Sequence, residues 1–223
     1  EHLLASTKSG LDIRALIINT GNANAGTGEP GYKNAMRTCE ELAKLMGLKK
    51  EQILPFSTGV ILEPLPVEKV IAGMPQAIGN LNTDNWFNAA HAIMTTDTQA
   101  KAYSKQVEIN GQTITLTGIS KGAGMIHPNM ATMLSYIFTD AAFDAPTLDR
   151  LLRAAVAPTF NMLSVDTDTS TSDTCAILAN GLAGAVDGLA ITGDQVVPRC
   201  QPLAAVNTQV GTGFRQPIEI IEL

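Results

Sequence analysis

Two short apolar runs with a helical pattern between them restrict the possible folds of this chain more than any other feature. The runs are Ala15–Asn19 (ALIIN) and Ile53–Ser57 (ILPFS), each the length of one buried strand. Between them, small or apolar residues recur at helical spacing over 33–46, and Gly47 is placed to cap the helix. Strand-like and helical segments continue to alternate along the chain. The pattern predicts an α/β or α+β layered fold.

Later segments extend the same alternation. The dipeptide Asn110-Gly111 lies between alternating residues and predicts a hairpin over 107–116, because it accepts positive φ at both turn positions. The glycine- and asparagine-rich stretch through Gly31 is expected to be a loop. Further helices are predicted over 67–71, after a cap at Asp84, and from Asp144 with Pro146. Further strands are predicted over 133–138 and 175–179.

Charge and composition favour a small-molecule partner. The net charge is −6, and the 15 basic residues form no run, so the footprint of a nucleic-acid or anionic-membrane binder is missing. No apolar stretch is long enough to span a bilayer, and we expect a cytoplasmic protein. Three widely separated cysteines, Cys39, Cys175 and Cys200, fit reduced thiols. The chain begins with Glu1 and not Met, and we expect it to be a piece of a longer product.

The segment GISKGAGMIHPNMATML, at 118–134, is the most unusual in the sequence, because a glycine-rich loop leads directly into a predicted strand headed by Thr132. A threonine there can attack the carbonyl before it, move the chain onto its own oxygen and be released with a free α-amine. That amine has an ordinary pKa of about 7.7–8 and can act as the base for the hydroxyl. A threonine before a strand is also ordinary β-propensity, so the spacing leaves both interpretations open.

The same segment resembles the cleavage-site signature of ornithine acetyltransferases. Other blocks resemble that family in the family's order: NTGNANAGTGEPG at 19–31, STGVI at 57–61, AIMTTDT at 92–98 and VDTDTSTSDT at 165–174. On these blocks the chain is identified as a member of the ornithine acetyltransferase, or glutamate N-acetyltransferase, family of bifunctional arginine-biosynthesis enzymes.

The resemblance implies roles for individual residues. Thr132 matches the nucleophile and Ala131 the residue before the cleaved bond, which gives an alpha segment 1–131 and a beta segment 132–223 that together form one domain. Thr58 and Gly59 match the pair that holds the oxyanion. The positions matching substrate contacts are Thr95, Lys121 and Thr132.

The resemblance also implies the reaction and the assembly. The fold would be of the self-cleaving N-terminal-nucleophile type, with sheets sandwiched between helices. An acetyl-threonine intermediate would carry the acetyl group from N2-acetylornithine to glutamate, and acetyl-coenzyme A stays open as a further donor. No cofactor or metal is implied, and the expected assembly is a heterotetramer of two alpha and two beta segments.

Two alternatives and one departure qualify this interpretation. A self-cleaving aminopeptidase or amidase would use the same threonine chemistry with water as acceptor, and a catalytically incomplete fragment would keep the motifs without the whole pocket. The tail 182–223 does not resemble the family. The family's DGEGATK-type segment and its closing asparagine and threonine contacts are not found in this sequence. We therefore expect a truncated or divergent member, and we assign no role to Glu219 or Glu222.

Other motifs carry less weight. Gly26, Gly28 and Gly31 spell GxGxxG, but the motif starts well after its strand and contains Pro30, unlike a dinucleotide-binding loop. His2, His91 and His127 are too scattered for a zinc site, and Asp166, Asp168 and Asp173 are typical of loop caps and turns.

Overall fold

The computed structural model describes residues 10–125, 133–165 and 170–185, together with the backbone of Glu219–Glu222. It contains two compact units, the first made of Glu1–Thr95 with Pro217–Leu223 and the second of Thr96–Gln216. In chain order the elements are β1 (Ala15–Asn19), α1 (Gly28–Met46), β2 (Ile53–Ser57), α2 (Val67–Gly79), α3 (Trp86–Ala92), β3 (Lys101–Ile109), β4 (Gln112–Lys121), β5 (Leu134–Ala142), α4 (Ala145–Val156), β6 (Thr174–Ala185) and β7 (Glu219–Glu222). Two short 3₁₀ turns, Lys50–Gln52 and Phe160–Met162, complete the list.

The first unit is built on a three-stranded parallel sheet with the order β2-β1-β7. Every residue of the central strand β1 is buried, as expected for a continuous apolar run. The helices α1 and α2 contribute Cys39, Leu42 and Met74 to the same apolar cluster as Ile17 and Ile53. Burial of this apolar surface is the main force that holds the helices to the sheet.

Helix α1 begins earlier than predicted. It starts at Gly28, so the expectation of a loop through Gly31 is wrong for its last residues. Pro30 lies in the first turn, where its missing N–H would have had no helical partner, and Glu29 there favours the positive end of the helix dipole. The predicted end is confirmed: Gly47 has φ 66° and its N–H bonds to the carbonyl of Ala43.

The two later helices of this unit are confirmed, with different boundaries. The helix predicted over 67–71 continues to Gly79. The cap predicted at Asp84 is wrong, because α3 starts at Trp86 with Asn85 in the capping position and without a side-chain capping bond. Among the described residues, no helix combines the length and apolar character that a bilayer crossing requires.

The second unit is built on a four-stranded mixed sheet with the order β3-β4-β5-β6. The predicted hairpin joins β3 and β4, and Asn110 and Gly111 have φ values of 51° and 79°. β5 runs antiparallel to β4 and parallel to β6, with a register shift between Thr139 and Ala141. This sheet brings together residues 40 positions apart in the chain, such as Met133 and Asp173.

Helix α4 follows β5 as predicted. Its cap is Asp144, whose carboxylate accepts the Thr147 N–H at 2.7 Å, and Pro146 lies in the first turn. Strand β6 is longer than the predicted 175–179 and runs from Thr174 to Ala185. The α/β prediction is confirmed, with helices interleaved with the strands in each unit.

Candidate active site

The first unit contains one group of candidate site residues, at the turn that leaves β2 at Thr58 and Gly59. Thr58 is buried, and its backbone N–H donates to the carbonyl of Asn19 at 3.1 Å. Beyond Gly59, the Val60 N–H donates to the carbonyl of Gly21 at 3.2 Å, and the Val60 carbonyl accepts the Ala23 N–H at 2.8 Å. These bonds come from both sides of Gly59 and hold the turn against the loop that leaves β1.

Gly59 is required by this close approach. Its φ is 134°, a conformation that L side chains rarely adopt. A Cβ placed on it would lie 2.3 Å from the carbonyl carbon of Gly21 and 2.6 Å from the nitrogen of Asn22. The two backbones can therefore meet only if residue 59 has no side chain.

Two asparagines of the NTGNAN segment, Asn19 and Asn22, connect the same two loops. Asn19 donates to the carbonyl of Asn22 at 2.9 Å and accepts the hydroxyl of Ser57 at 2.6 Å. Asn22 donates to the carbonyls of Glu63 at 3.0 Å and Pro64 at 3.2 Å, and accepts the Asn24 N–H at 2.8 Å. These side chains fix the path of the backbone that presents Thr58 and Gly59.

The GxGxxG spelling has a structural explanation. Gly26 and Gly28 have φ values of 72° and 59°, and a Cβ on Gly31 would lie 1.8 Å from the hydroxyl oxygen of Thr27. The Asn24 amide donates to the carbonyl of Gly31 at 3.0 Å. The glycines therefore permit a tight turn of this chain against its own helix, without reference to a nucleotide.

The second unit contains another candidate site residue, Lys121, the last residue of β4, which is 4% exposed. Burial lowers the pKa of its ammonium group because the charged form loses hydration, and nearby Lys101 acts in the same direction. Asp97 and Asp173 oppose this shift through their negative charges. The residue predicted to hold a substrate carboxylate is thus a buried cation between two carboxylates.

Asp97 fixes the chain beside Lys121. Its side chain is fully buried, and one carboxylate oxygen accepts from the Lys101 ammonium at 2.6 Å and from the Gly122 N–H at 2.7 Å. Charge-assisted bonds of this kind are about twice as strong as neutral ones. The sequence analysis missed Asp97, although it lies inside the AIMTTDT block.

Asp173 and Thr174 hold Met133, the residue directly after Thr132. The Asp173 carboxylate accepts the Met133 N–H at 2.9 Å, and the Thr174 N–H donates to the Met133 carbonyl at 2.9 Å. Burial raises the pKa of Asp173, while the Met133 bond and the charge of Lys121 act against the rise. The sequence analysis treated Asp173 only as a turn or cap residue, and the resemblance of its VDTDTSTSDT block was the signal for a role.

Some of the predicted site residues lie in the described parts of the structure and others lie outside them. Thr58 and Gly59 lie together in the first unit, where Thr95 is exposed after α3, and Lys121 lies in the second unit. Ala131 and Thr132 lie outside the described residues. Their roles and the cleavage between segments 1–131 and 132–223 therefore stay predictions.

The described residues hold little that suggests metal or thiol chemistry. Within them, no three side chains of His, Cys, Asp or Glu are grouped to hold a metal ion. Burial raises the pKa of Cys39 to about 12 and of Cys175 to about 11, which keeps both thiols protonated. His91 is exposed and contacts the Phe87 ring edge-on. Outside the described residues lie His2, His127, Asp166, Asp168 and Cys200.

Comparison with known proteins gives relatives of one family. Over 174 residues the chain is 57% identical to the arginine biosynthesis bifunctional protein ArgJ of Colwellia psychrerythraea, an alignment that covers 78% of this chain and 41% of that protein. The chain therefore spans about two fifths of the length of this curated relative. Solved structures with a similar sequence are argJ of Bacillus halodurans (33% identity, 60% of this chain and 70% of that one, TM-score 0.49) and the ornithine acetyltransferase of Mycobacterium tuberculosis with ornithine (30% identity, 57% and 68%, TM-score 0.47).

A family model sets the extent of the likeness. The model of the ArgJ family matches residues 2–220. The match extends into the tail 182–223, while the alignment with the Colwellia psychrerythraea protein covers 78% of this chain. Because the match covers nearly the whole sequence, the chain belongs to the ArgJ family.

Proposed function

We propose that the chain cleaves itself before Thr132 and then uses Thr132 to carry an acetyl group from N2-acetylornithine to glutamate, a step of arginine biosynthesis. The observation that carries the proposal is the arrangement at the head of β5. There, Met133 is held through both its backbone groups, and Leu134 is the register partner of the buried Lys121. Membership of the ArgJ family supports acetyl transfer as the reaction class.

Cleavage and transfer would use the same hydroxyl. In the first reaction the Thr132 oxygen attacks the carbonyl carbon of Ala131, and the C–N bond breaks to give an ester that water hydrolyses. An N-terminal α-amine has an ordinary pKa of about 7.7–8, so a minor fraction is neutral near neutral pH and can accept the hydroxyl proton. Nucleophile and base then belong to one residue.

Transfer would proceed in two halves. The Thr132 hydroxyl attacks the acetyl carbonyl of N2-acetylornithine while the α-amine of Thr132 takes the hydroxyl proton. The C–N bond of the substrate then breaks, and the leaving amine of ornithine receives that proton. The amine of glutamate then attacks the acetyl-threonine ester and restores the free hydroxyl. Each half passes through an oxyanion, for which we propose the Thr58 hydroxyl and the Gly59 N–H as donors. The hydrogen bonds on both sides of Gly59 support this role, because a fixed donor costs no reorganisation when charge develops.

For substrate binding we propose Lys121 and Thr95. A substrate carboxylate would be attracted by the positive charge of the buried Lys121 ammonium, which suits an amino-acid substrate. The proposed chemistry needs no cofactor, because the hydroxyl and the amine of Thr132 supply the nucleophile and the base. A cytoplasmic protein and a heterotetramer of two alpha and two beta segments belong to the same proposal.

The test is an intact-mass measurement beside an acetyl-transfer assay. We expect the purified chain to yield segments 1–131 and 132–223 and to transfer acetyl from N2-acetylornithine to glutamate. Thr132→Ala removes the hydroxyl and should abolish both reactions. Thr113→Ala, at an exposed position of β4, makes the same change away from the site and should leave both rates unchanged.

Each alternative gives a different result in the same experiment. A cleaved chain that releases acetate from N2-acetylornithine at the same rate with and without glutamate would identify an amidase. A chain that stays intact through long incubation would show a catalytically incomplete fragment. Cleavage of Thr132→Ala at the same bond would refute Thr132 as the nucleophile.

A further inference from the structure

We propose that Asp173 is a positioning residue of the reaction, which holds the backbone N–H of Met133, the residue that directly follows the proposed nucleophile Thr132. The inference rests on the proposed function of Thr132 and adds a residue to its machinery. Asp173 is partly buried at the start of β6, and Met133 lies at the start of β5, so the parallel pairing of the two strands brings them together across 40 positions of sequence.

The geometry restrains Met133 at both of its backbone groups. Its N–H is bound by the Asp173 carboxylate at 2.9 Å, and its carbonyl by the Thr174 N–H at 2.9 Å. The Met133 side chain is itself 6% exposed, so packing adds to the restraint. These three restraints hold the Met133 backbone in one orientation.

The carboxylate acts on the peptide that matters for Thr132. A peptide group is planar, so an acceptor that holds the Met133 N–H restrains rotation of the peptide group to which that N–H belongs. Rate depends steeply on such orientation, because a displacement of about 1 Å at a reacting group can cost about 100-fold. Ordinary strand pairing could have bound the Met133 N–H through a backbone carbonyl, whereas here a side-chain carboxylate does so.

Asp173 also lies within electrostatic range of a cation. Lys121, at the end of the neighbouring strand β4, interacts electrostatically with both Asp173 and Asp97. Asp97 is paired in turn with Lys101, whose ammonium lies 2.6 Å from its carboxylate. The charged residues near the start of β5 are thus Lys121 at the end of β4 and Asp173 directly before β6.

The experiment compares Asp173→Ala with Asp173→Asn in the full chain. The alanine variant loses the acceptor for the Met133 N–H, and we expect both self-cleavage and kcat for transfer to fall by about 10- to 100-fold, with KM for N2-acetylornithine changed less than about 3-fold. The asparagine variant keeps an acceptor oxygen in the same place and should stay within about 3-fold of the wild type. Hydrogen exchange at the Met133 amide should accelerate in the alanine variant and stay slow in the asparagine variant.

Asp144→Ala is the matched control. It removes a carboxylate that accepts a backbone N–H at 2.7 Å in the same unit, but at the cap of α4. A drop in Tm without loss of kcat is expected there, which separates a general loss of stability from a loss of positioning.

The outcomes distinguish this inference from the proposed function. A wild-type chain that neither cleaves nor transfers overturns the proposed function and the inference with it. An active wild type with an equally active Asp173→Ala variant overturns only the inference. So does an Asp173→Asn variant as slow as Asp173→Ala, because the charge and not the hydrogen bond would then be what matters.

Discussion

At the turn after β2, the absence of a side chain at residue 59 decides where the backbone can lie. Gly59 combines a φ of 134° with a neighbouring backbone that a Cβ would approach to 2.3 Å. The atom in the way is the carbonyl carbon of Gly21, which cannot rotate aside as a side chain could. Conformation and space therefore both require glycine, and they do so at the residue for which we propose an oxyanion contact.

Gly59→Ala should consequently disturb stability and activity together. We expect a loss of at least about 2 kcal/mol in the free energy of unfolding, from the unfavourable φ and from displacement of the Gly21 backbone. The control is Gly79→Ala at the end of α2, where φ is ordinary and no atom lies within 4 Å of the new Cβ. That variant should be neutral or more stable by up to about 1 kcal/mol. Urea unfolding measures both, and a Gly59→Ala variant as stable as the wild type would contradict the argument.

Residues of the site could be predicted from the sequence where a motif marks them, and not where only the fold connects them. Thr58, Gly59 and Lys121 were predicted from blocks that resemble the family. Asp97 and Asp173 were missed because an aspartate in a polar loop has many ordinary explanations. Their partners are set by strand pairing: Asp97 binds the N–H of Gly122, 25 positions away, and Asp173 that of Met133.

Among the elements, α1 shows how a buried face fixes a helix more firmly than its ends do. Its apolar face, with Cys39 and Leu42 fully buried, follows the spacing seen in the sequence. Its start was predicted too late, because Gly and Pro are typical of loops yet are tolerated in a first turn. The hairpin at Asn110-Gly111 was predicted correctly, since its turn geometry depends on two adjacent residues alone.

The packing of α1 can be tested with two leucines of the same helix. Leu42 is 0% exposed within the core of the first unit, and Leu45 is 50% exposed. Leu42→Ala should lower the free energy of unfolding by about 2–5 kcal/mol, because it removes buried methyl groups and leaves a cavity. Leu45→Ala has nearly the same effect on helix propensity and should cost less than about 1 kcal/mol. Equal urea midpoints for the two variants would show that α1 does not pack through this face.

For the whole molecule, the proposed cleavage would divide both sheets between two chains. The segment 1–131 would contain β1 to β4, and the segment 132–223 would contain β5, β6 and β7. In the second unit the division falls between β4 and β5, which are paired antiparallel from Leu116 with Thr139 to Lys121 with Leu134. In the first unit β7 lies beside β1. Neither segment contains a complete sheet, which the sequence could not indicate because strand order is a property of the fold.

We therefore expect the two segments to stay together after cleavage. Separation would expose the backbone groups of β4 and β5 along a shared edge, together with buried side chains such as Ile119 and Phe138. The cleaved protein should elute from a sizing column as one species that denaturant separates into two. Its unfolding is then bimolecular, so its urea midpoint should rise with protein concentration, whereas uncleaved Thr132→Ala should show less dependence on concentration. Segments that separate in native buffer would show that the paired strands do not hold the cleaved molecule together.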